Sequence, residues 1–405
     1  MVKKVAMGLT EALQLMFNAI NTLKTEKLPL LECVDRVTAC DLLAKVNSPS
    51  VDASLKDGFG VISSDIAYAT AEKPVRLHRA GLMAAGGTEE IPVTSGTAVQ
   101  LLTGAGIPPG ADAVVAEEFV TIKGDEILVH IHAEPGRNIL KKGIDVSYGR
   151  TVAQQGEKLT PGIIGILAAS GHSNIEVIRN PLVSIVATGD EIVAPGRPLP
   201  KGKLYASNIS TLSAWCHRYK FQPRPILVKD DPDALFKTFT EQIVENDVMI
   251  TSGGAWTSDR DLVAKTLARL GWHQLFHRIR IGPGKAVGFG LLDSKPVFIL
   301  PGGPPSNLIG FLQIALPGLL KLAGHKLQQL PVMPVRLGTT LDGRHKDWTQ
   351  FIFGTLENQQ GKVEFHPLEN ASRLRSMAEA EAIVTIAEGQ TILPAQTETI
   401  VQLLT

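Results

Sequence analysis

The chain has 405 residues, and its 40 Lys and Arg are balanced by 40 Asp and Glu for a formal net charge of zero. That length exceeds one ordinary core and predicts about two to four domains, while the charge balance excludes a general electrostatic attraction to nucleic acid or to an anionic membrane. Cys33, Cys40 and Cys216 lack metal-site spacing and read as buried thiols of a reducing compartment; with no signal peptide before Thr10 and no apolar run of spanning length, a soluble cytoplasmic protein is expected.

Leu13, Met16, Phe17 and Ile20 recur at helical spacing and predict an amphipathic helix over Leu9–Leu23. Cys33–Leu43 reads as a second short helix. This unit is too small to hold a core alone. Its expected partner is Gly156–Val177, where Ile163, Ile164, Ile166 and Leu167 follow a Pro161 start, so a discontinuous N-terminal domain is predicted over 1–46 and 147–177. Between the halves, short apolar runs punctuated by glycine predict an inserted β domain over 47–146, a small barrel or sandwich. Two of its turns stand out, Asp52-Ala53-Ser54-Leu55-Lys56-Asp57-Gly58-Phe59 and the Gly/Pro-dense Leu102–Asp112. Asp57 reads either as an Asx turn or as a site acid.

From 178 to 328 strands and helices alternate, which predicts a layered α/β domain. Leu182–Ala187 breaks at Thr188-Gly189-Asp190-Glu191, Val248–Thr251 at Ser252-Gly253-Gly254, and Pro296–Leu300 at Pro301-Gly302-Gly303-Pro304-Pro305-Ser306-Asn307. Strands that end in glycine-rich turns before helices build an anion-binding edge, because helix N-termini present unpaired N–H groups there. Past 329 the pattern returns to β runs, with a helix-like stretch at Arg373–Ala380, and predicts a C-terminal β domain over 329–405. The fold class is therefore multidomain α/β plus β.

Asp190, Glu191, Asp230, Asp231, Asp259 and Asp261 converge on that edge if the sheet is parallel, although acids beside helix starts serve equally as caps. The two glycine pairs let backbone amides approach a phosphate. Neither matches a Walker or dinucleotide fingerprint. Lys285, in Gly282-Pro283-Gly284-Lys285, is the candidate phosphate or oxyanion contact, the alternative being a solvated lysine. No Ser-His-acid or Cys-His arrangement emerges. A phosphate-bearing ligand with Mg²⁺ is the chemistry these residues support.

These loops, in this order, resemble the MoeA/gephyrin E-domain family of molybdopterin molybdenumtransferases. The resemblance rests on Asp52–Phe59, Thr103-Gly104-Ala105, Pro109–Val115, Thr188–Glu191, Ser207-Asn208, Asp230-Asp231-Pro232, Ser252–Gly254, Asp259, Pro283-Gly284-Lys285 and Leu300-Pro301-Gly302. It implies an elongated homodimer of four-domain chains that binds adenylylated molybdopterin with Mg²⁺, inserts molybdate at the dithiolene and releases AMP. It also implies an upstream molybdopterin adenylyltransferase or a molybdoenzyme acceptor as partners. Carried onto this chain, Asp57, Asp190, Glu191, Asp230, Asp259 and Lys285 take catalytic roles, with Asp190, Glu191 and Asp259 near the metal. Thr188, Gly189, Ser207, Asn208, Ser252, Gly253, Gly254, Pro301, Gly302 and Ser306 form the pterin-nucleotide cradle, and Asp57, Thr103 and Asp145 are offered across the dimer cleft. Against the pattern the resemblance implies, Ala206 stands where Asp is common before Ser-Asn, Gly282 where Lys is usual before Pro-Gly-Lys and Gly303 where Asn is usual; Lys56, Ile144, Trp256, Ser258 and the stretch Glu369-Asn370-Ala371-Ser372 also depart from it. Those departures keep open a tungstate-preferring transferase and a non-catalytic molybdopterin-binding or delivery paralogue.

Overall fold

The computed structural model describes residues 7–254, 262–359, 361–368 and 373–404. Asp259, Trp256, Ser258 and the Glu369–Ser372 stretch lie outside the described residues. The central sheet has six strands in the order Gln222–Val228, Leu182–Thr188, Val248–Ser252, Lys295–Leu300, Gly288–Leu292 and His273–His277. The first four run parallel, and the last two close the edge antiparallel. Alternate residues of these strands face two different helix layers, as the two-residue repeat of a strand requires. Val183, Ile185, Ile250, Phe298 and Leu300 pack under the Ser207–Arg218 helix and the continuous helical run 304–322. Val186, Met249, Val297 and Ile299 pack under the Pro232–Glu245 and Leu262–Arg269 helices.

The discontinuous N-terminal domain is joined by antiparallel pairing of Thr25–Pro29 with Asn174–Ile178 and of Leu42–Leu43 with Thr151–Ala153. Its core gathers Leu30, Cys33, Leu42, Leu159, Leu167 and Val177. Three expectations need correction here. The Leu9–Ala19 helix does not pack in this core: Ala12, Met16 and Ile20 are buried against the α/β domain, where Gly318 lets Met16 Sδ and Ile20 Cδ1 approach the 316–322 helix. Cys33–Leu43 is not a helix; a single 3-10 turn at Leu30–Cys33 gives way to bridges from Val37 and Thr38 and the Leu42–Leu43 strand. Four positions in that stretch pair their backbone across the domain, and local helical spacing could not register it. Cys40 is exposed, whereas Cys33 and Cys216 are buried, and burial pushes the Cys216 thiol up to about 12.

The inserted domain is a six-stranded sheet, ordered 113–116, 58–61, 97–101, 75–83, 126–129 and 120–123, with separate apolar clusters around Phe59 and Leu101. In the C-terminal domain, Thr349–Gln359, Lys362–Pro367, Val332–Leu337, Glu398–Leu403 and Ala382–Ile386 pair in that order. Ala382–Ile386 then pairs back onto Thr349–Gln359, closing a five-stranded barrel. Closure removes the exposed edges that an open sheet of this size would carry. The short strand Ile281–Gly282 of the α/β domain pairs with Thr349–Gln350, so it ties the barrel to the central domain beside Lys285. Among the described residues, no helix is long and apolar enough to cross a membrane.

Candidate functional site

From Leu182–Thr188 the chain crosses to Gln222–Val228 on one side; from Val248–Ser252 it leaves for the other side of the sheet. The crossovers therefore part between the C-terminal ends of these two strands, where an open α/β sheet leaves its ligand crevice. A cavity of about 540 Å³ lies there, lined by Thr188, Glu191, Ser207, Asn208, Ser252, Gly253 and Gly302 together with Leu199, Leu204 and Tyr205.

The glycine turn after Val248–Ser252 is set by contact with its neighbour. Gly253 has φ +98°, and a Cβ there would lie 2.6 Å from the Thr188 carbonyl oxygen, so only glycine lets the turn rest on the strand end. Its N–H donates to the Leu300 carbonyl at 3.1 Å. Two buried or half-buried amides then lock the turns together. Asn307 Nδ2 donates to Ser252 Oγ at 3.0 Å and to the Pro301 carbonyl at 2.8 Å. Asn208 Nδ2 donates to the Gly302 carbonyl at 2.8 Å and lies 3.4 Å from Ser252 Oγ. Asn307, 1% exposed, was not among the expected site residues, although it directly follows Ser306 in the third turn.

The adjacent acids divide their work. Asp231 caps the Pro232–Glu245 helix, accepting from the Ala234 N–H at 2.8 Å with Pro232 at the first helical position. Asp230 turns to the crevice wall instead and accepts from Thr188 Oγ1 at 2.5 Å. Glu191 lines the cavity and curls its carboxylate over Gly189, within 2.9 Å of where a Cβ would stand. Asp190 does not line it; its carbonyl accepts from Lys203 Nζ at 2.5 Å, which anchors the strap carrying Leu204 and Tyr205. The next helix starts with Ala206 at its N-cap, where no side chain accepts from the first turn, so amides at Ser207 and Asn208 remain open to a ligand. Gly254 and Pro301 do not line the cavity: Gly254 rests against Val263 and Thr188, and the Pro301 carbonyl accepts from Asn307.

Lys285 and Ser306 line a second cavity of about 830 Å³, on the other side of Gly302-Gly303. The C-terminal barrel supplies its far wall, including Asp342, Arg344, His345, Trp348 and Arg373. Among the described residues, Lys285, Arg344 and Arg373 enter no ion pair. The sequence reading missed Arg344 and Arg373. The basic run Arg344-His345-Lys346 beside a glycine was the available signal, but only barrel closure brings it to the α/β domain.

Asp57, Thr103 and Asp145 line neither cavity. Asp57 Oδ1 accepts from the Thr103 N–H at 2.6 Å and from its hydroxyl at 2.8 Å; these bonds, the backbone one first, hold its carboxyl below the usual carboxylate range. Around them Val51, Leu55, Leu102 and Ile144 are 40–62% exposed. Among the described residues, no group of three or more His, Cys, Asp or Glu side chains is arranged for a metal. Of the expected set, Glu191 lines the cavity, Asp190 does not, and Asp259 lies outside the described residues.

A doubly wound domain with a crevice at its switch point, a C-terminal barrel against it and a discontinuous N-terminal domain that carries an inserted β domain define a multidomain α/β plus β protein. Three regions of the chain match known families: the MoeA N-terminal region (domains I and II) over residues 7–171, a probable molybdopterin binding domain over 184–321 and the MoeA C-terminal region (domain IV) over 340–404. The chain is 34% identical over 310 residues to a molybdopterin molybdenumtransferase of Haemophilus influenzae, covering 76% of this chain and 75% of that protein. It is 30% identical over 377 residues to the Bacillus subtilis molybdopterin molybdenumtransferase, covering 90% and 86%. A solved molybdopterin biosynthesis MoeA protein of Pyrococcus horikoshii superimposes with a TM-score of 0.83 at 30% identity, over 99% of this chain and 100% of that one. The chain belongs to the MoeA/gephyrin E-domain family.

Proposed function

We propose that this protein is a molybdopterin molybdenumtransferase that inserts molybdate into adenylylated molybdopterin with Mg²⁺ and releases AMP. The observation that carries the reading is the pairing of two cavities across Gly302-Gly303. One is built for a phosphate-bearing ligand from open amides, small residues and Glu191; the other is lined by Lys285, Arg344 and Arg373 and suits a tetrahedral oxyanion. Ser207, Asn208, Ser252 and Gly253 bind and orient the nucleotide-pterin, and Thr188, held by Asp230, fixes the crevice wall. Lys285 and Ser306 hold molybdate.

The donor chemistry fits Mg²⁺, which is usually bound by one or two carboxylates together with substrate phosphates. Glu191, the carboxylate that lines the crevice, would hold it, and Asp190 and Asp259 are the further ligands that the family resemblance implies. When bound it supplies neutralisation of phosphate charge. Asp57, Thr103 and Asp145 complete the site from a second copy of the chain, a reading supported by their exposure and by the apolar Val51, Leu55, Leu102 and Ile144 around them. A molybdopterin adenylyltransferase supplies the substrate and a molybdoenzyme receives the product.

The test is AMP release from adenylylated molybdopterin, followed by chromatography. Release that requires both molybdate and Mg²⁺ is expected. A folded protein that binds the nucleotide but releases no AMP refutes the transferase reading, and faster release with tungstate than with molybdate refutes the assigned substrate.

A further inference from the structure

Resting on the proposed function, we infer that Arg373 is a positioning residue shared by the two substrates: it bridges the nucleotide crevice and the oxyanion cavity and lets both anions be held at once. Arg373 is the one described residue that lines both cavities. Elsewhere the Gly302–Ser306 turn separates them, with Gly302 and Pro304 facing the crevice and Gly303 and Pro305 facing the oxyanion side. That partition has little bulk, since nothing lies within 4 Å of where a Gly303 Cβ would stand.

Charge points the same way. Among the described residues, the charged side chains lining the crevice are Glu191 and Arg373 alone, so the crevice has one described cation to meet a phosphate, and it comes from the C-terminal domain. The oxyanion cavity has other cations in Lys285 and Arg344. Two anions bound on either side of so thin a partition repel each other, and the repulsion is strongest where water is excluded. A guanidinium is fit to relieve it: it stays charged and offers five N–H donors in a planar fork, enough for two acceptors at once. Arg373 begins the Arg373–Glu379 helix, which packs on the 304–310 helix and on Thr349–Gln359, so the shared cation is fixed to both walls.

The experiment measures coupling rather than affinity alone. Molybdate binding is titrated calorimetrically into the full-length protein with and without saturating AMP, for the native chain, Arg373→Ala, Arg373→Lys and the barrel-surface control Arg336→Ala. In the native protein and the control, AMP leaves molybdate affinity unchanged or improves it. In Arg373→Ala each anion weakens when titrated alone, and saturating AMP weakens molybdate by a further factor of about five or more, since removing the shared charge exposes their repulsion. Arg373→Lys, with the charge kept and the fork lost, falls between. By reciprocity, molybdate must weaken AMP by the same factor. If Arg373→Ala weakens one anion and leaves the coupling as in the native protein, the shared role is refuted while the transferase reading stands. If the native protein binds neither anion, both fall together.

Discussion

Gly253→Ala concentrates the argument about the crevice in one methyl group. At φ +98° an L side chain is strained, by about 1–2 kcal/mol, and the new Cβ would stand 2.6 Å from the Thr188 carbonyl oxygen, an overpacking contact worth about 1–3 kcal/mol. Both partners are backbone, so no rotamer change relieves the clash. To reach ordinary contact at 3.4 Å, the turn must draw back by nearly an ångström, and misplacement of that size lowers a reaction rate by about 10²-fold when it moves the groups that orient substrate. Gly303→Ala is the matched control: its φ is −70° and nothing lies within 4 Å of the added carbon. The assay pairs hydrogen exchange at Ser252–Gly254, which reads local opening, with AMP titration and turnover. Gly253→Ala is expected to raise local exchange and reduce turnover sharply while far-UV circular dichroism stays native; Gly303→Ala leaves exchange unchanged. Native turnover in Gly253→Ala, or equal damage from the two variants, would refute the geometric reading of the turn.

Further outcomes follow from the same structure. Lys285→Ala should weaken molybdate by about 10- to 100-fold, the range of one lost charged hydrogen bond, with AMP binding nearly unchanged; titration of each anion checks this. Mixed dimers of Asp57→Asn and Asp230→Asn chains should regain turnover that neither homodimer has, since one of the two composite sites then carries neither substitution, and an inactive mixture would place both acids in one chain's site. Thr103→Val should raise the Asp57 pKa toward the ordinary carboxylate value, read by carboxylate NMR titration; the native bonds, with the folded pKa depressed, persist above that ordinary value and are lost as pH falls through the folded one. Burial first, and Lys158 second, lower His325 from 6.5 to about 4. The stability from keeping it neutral is complete above pH 6.5 and is lost as pH falls toward 4, so His325→Asn should flatten the acid limb of a urea-unfolding series over that window.

Strand ends and turns were legible because their chemistry is local. Three apolar runs ending in glycine-containing turns announced a parallel edge, and the sheet order gathers Thr188, Ser252 and Gly302 around one cavity. What the sequence withheld came from long-range pairing. Neighbouring Asp230 and Asp231 look alike in a strand-to-helix turn, and only the fold turns one to Thr188 and the other to the helix amides. The Leu9–Ala19 helix shows its apolar face but not its owner; Gly318, some 300 residues on, is what admits it to the α/β core. Arg344 and Arg373 were invisible as site residues for the same reason, since no periodicity tells a barrel which surface it will lean on.

A formal net charge of zero is compatible with an anion site because charge is sorted by wall rather than by sequence. The α/β domain brings Glu191 to the crevice and Asp230 to the back of Thr188 in its wall, acids that on their own disfavour a phosphorylated ligand. The barrel wall brings Arg344 and Arg373, and the short pairing of Ile281–Gly282 with Thr349–Gln350 sets Lys285 beside them. Here the substitutions that set this chain apart acquire a physical meaning. Ala206 offers no acceptor to its helix N-terminus, which leaves those amides for the ligand, and it removes one negative charge from a crevice whose single described cation comes from the facing domain. Gly282 gives up a cation on the oxyanion side, where Lys285, Arg344 and Arg373 remain. On the proposed function, the two departures would act in opposite directions on the two anions, the first favouring the nucleotide and the second weakening molybdate. Ala206→Asp should therefore stabilise its helix by about 1 kcal/mol as a cap while weakening AMP, and Gly282→Lys should strengthen molybdate without changing AMP. A protein in which both substitutions moved the same anion would show that the two cavities are one site with a single ligand, and the division across Gly302-Gly303 would lose its meaning.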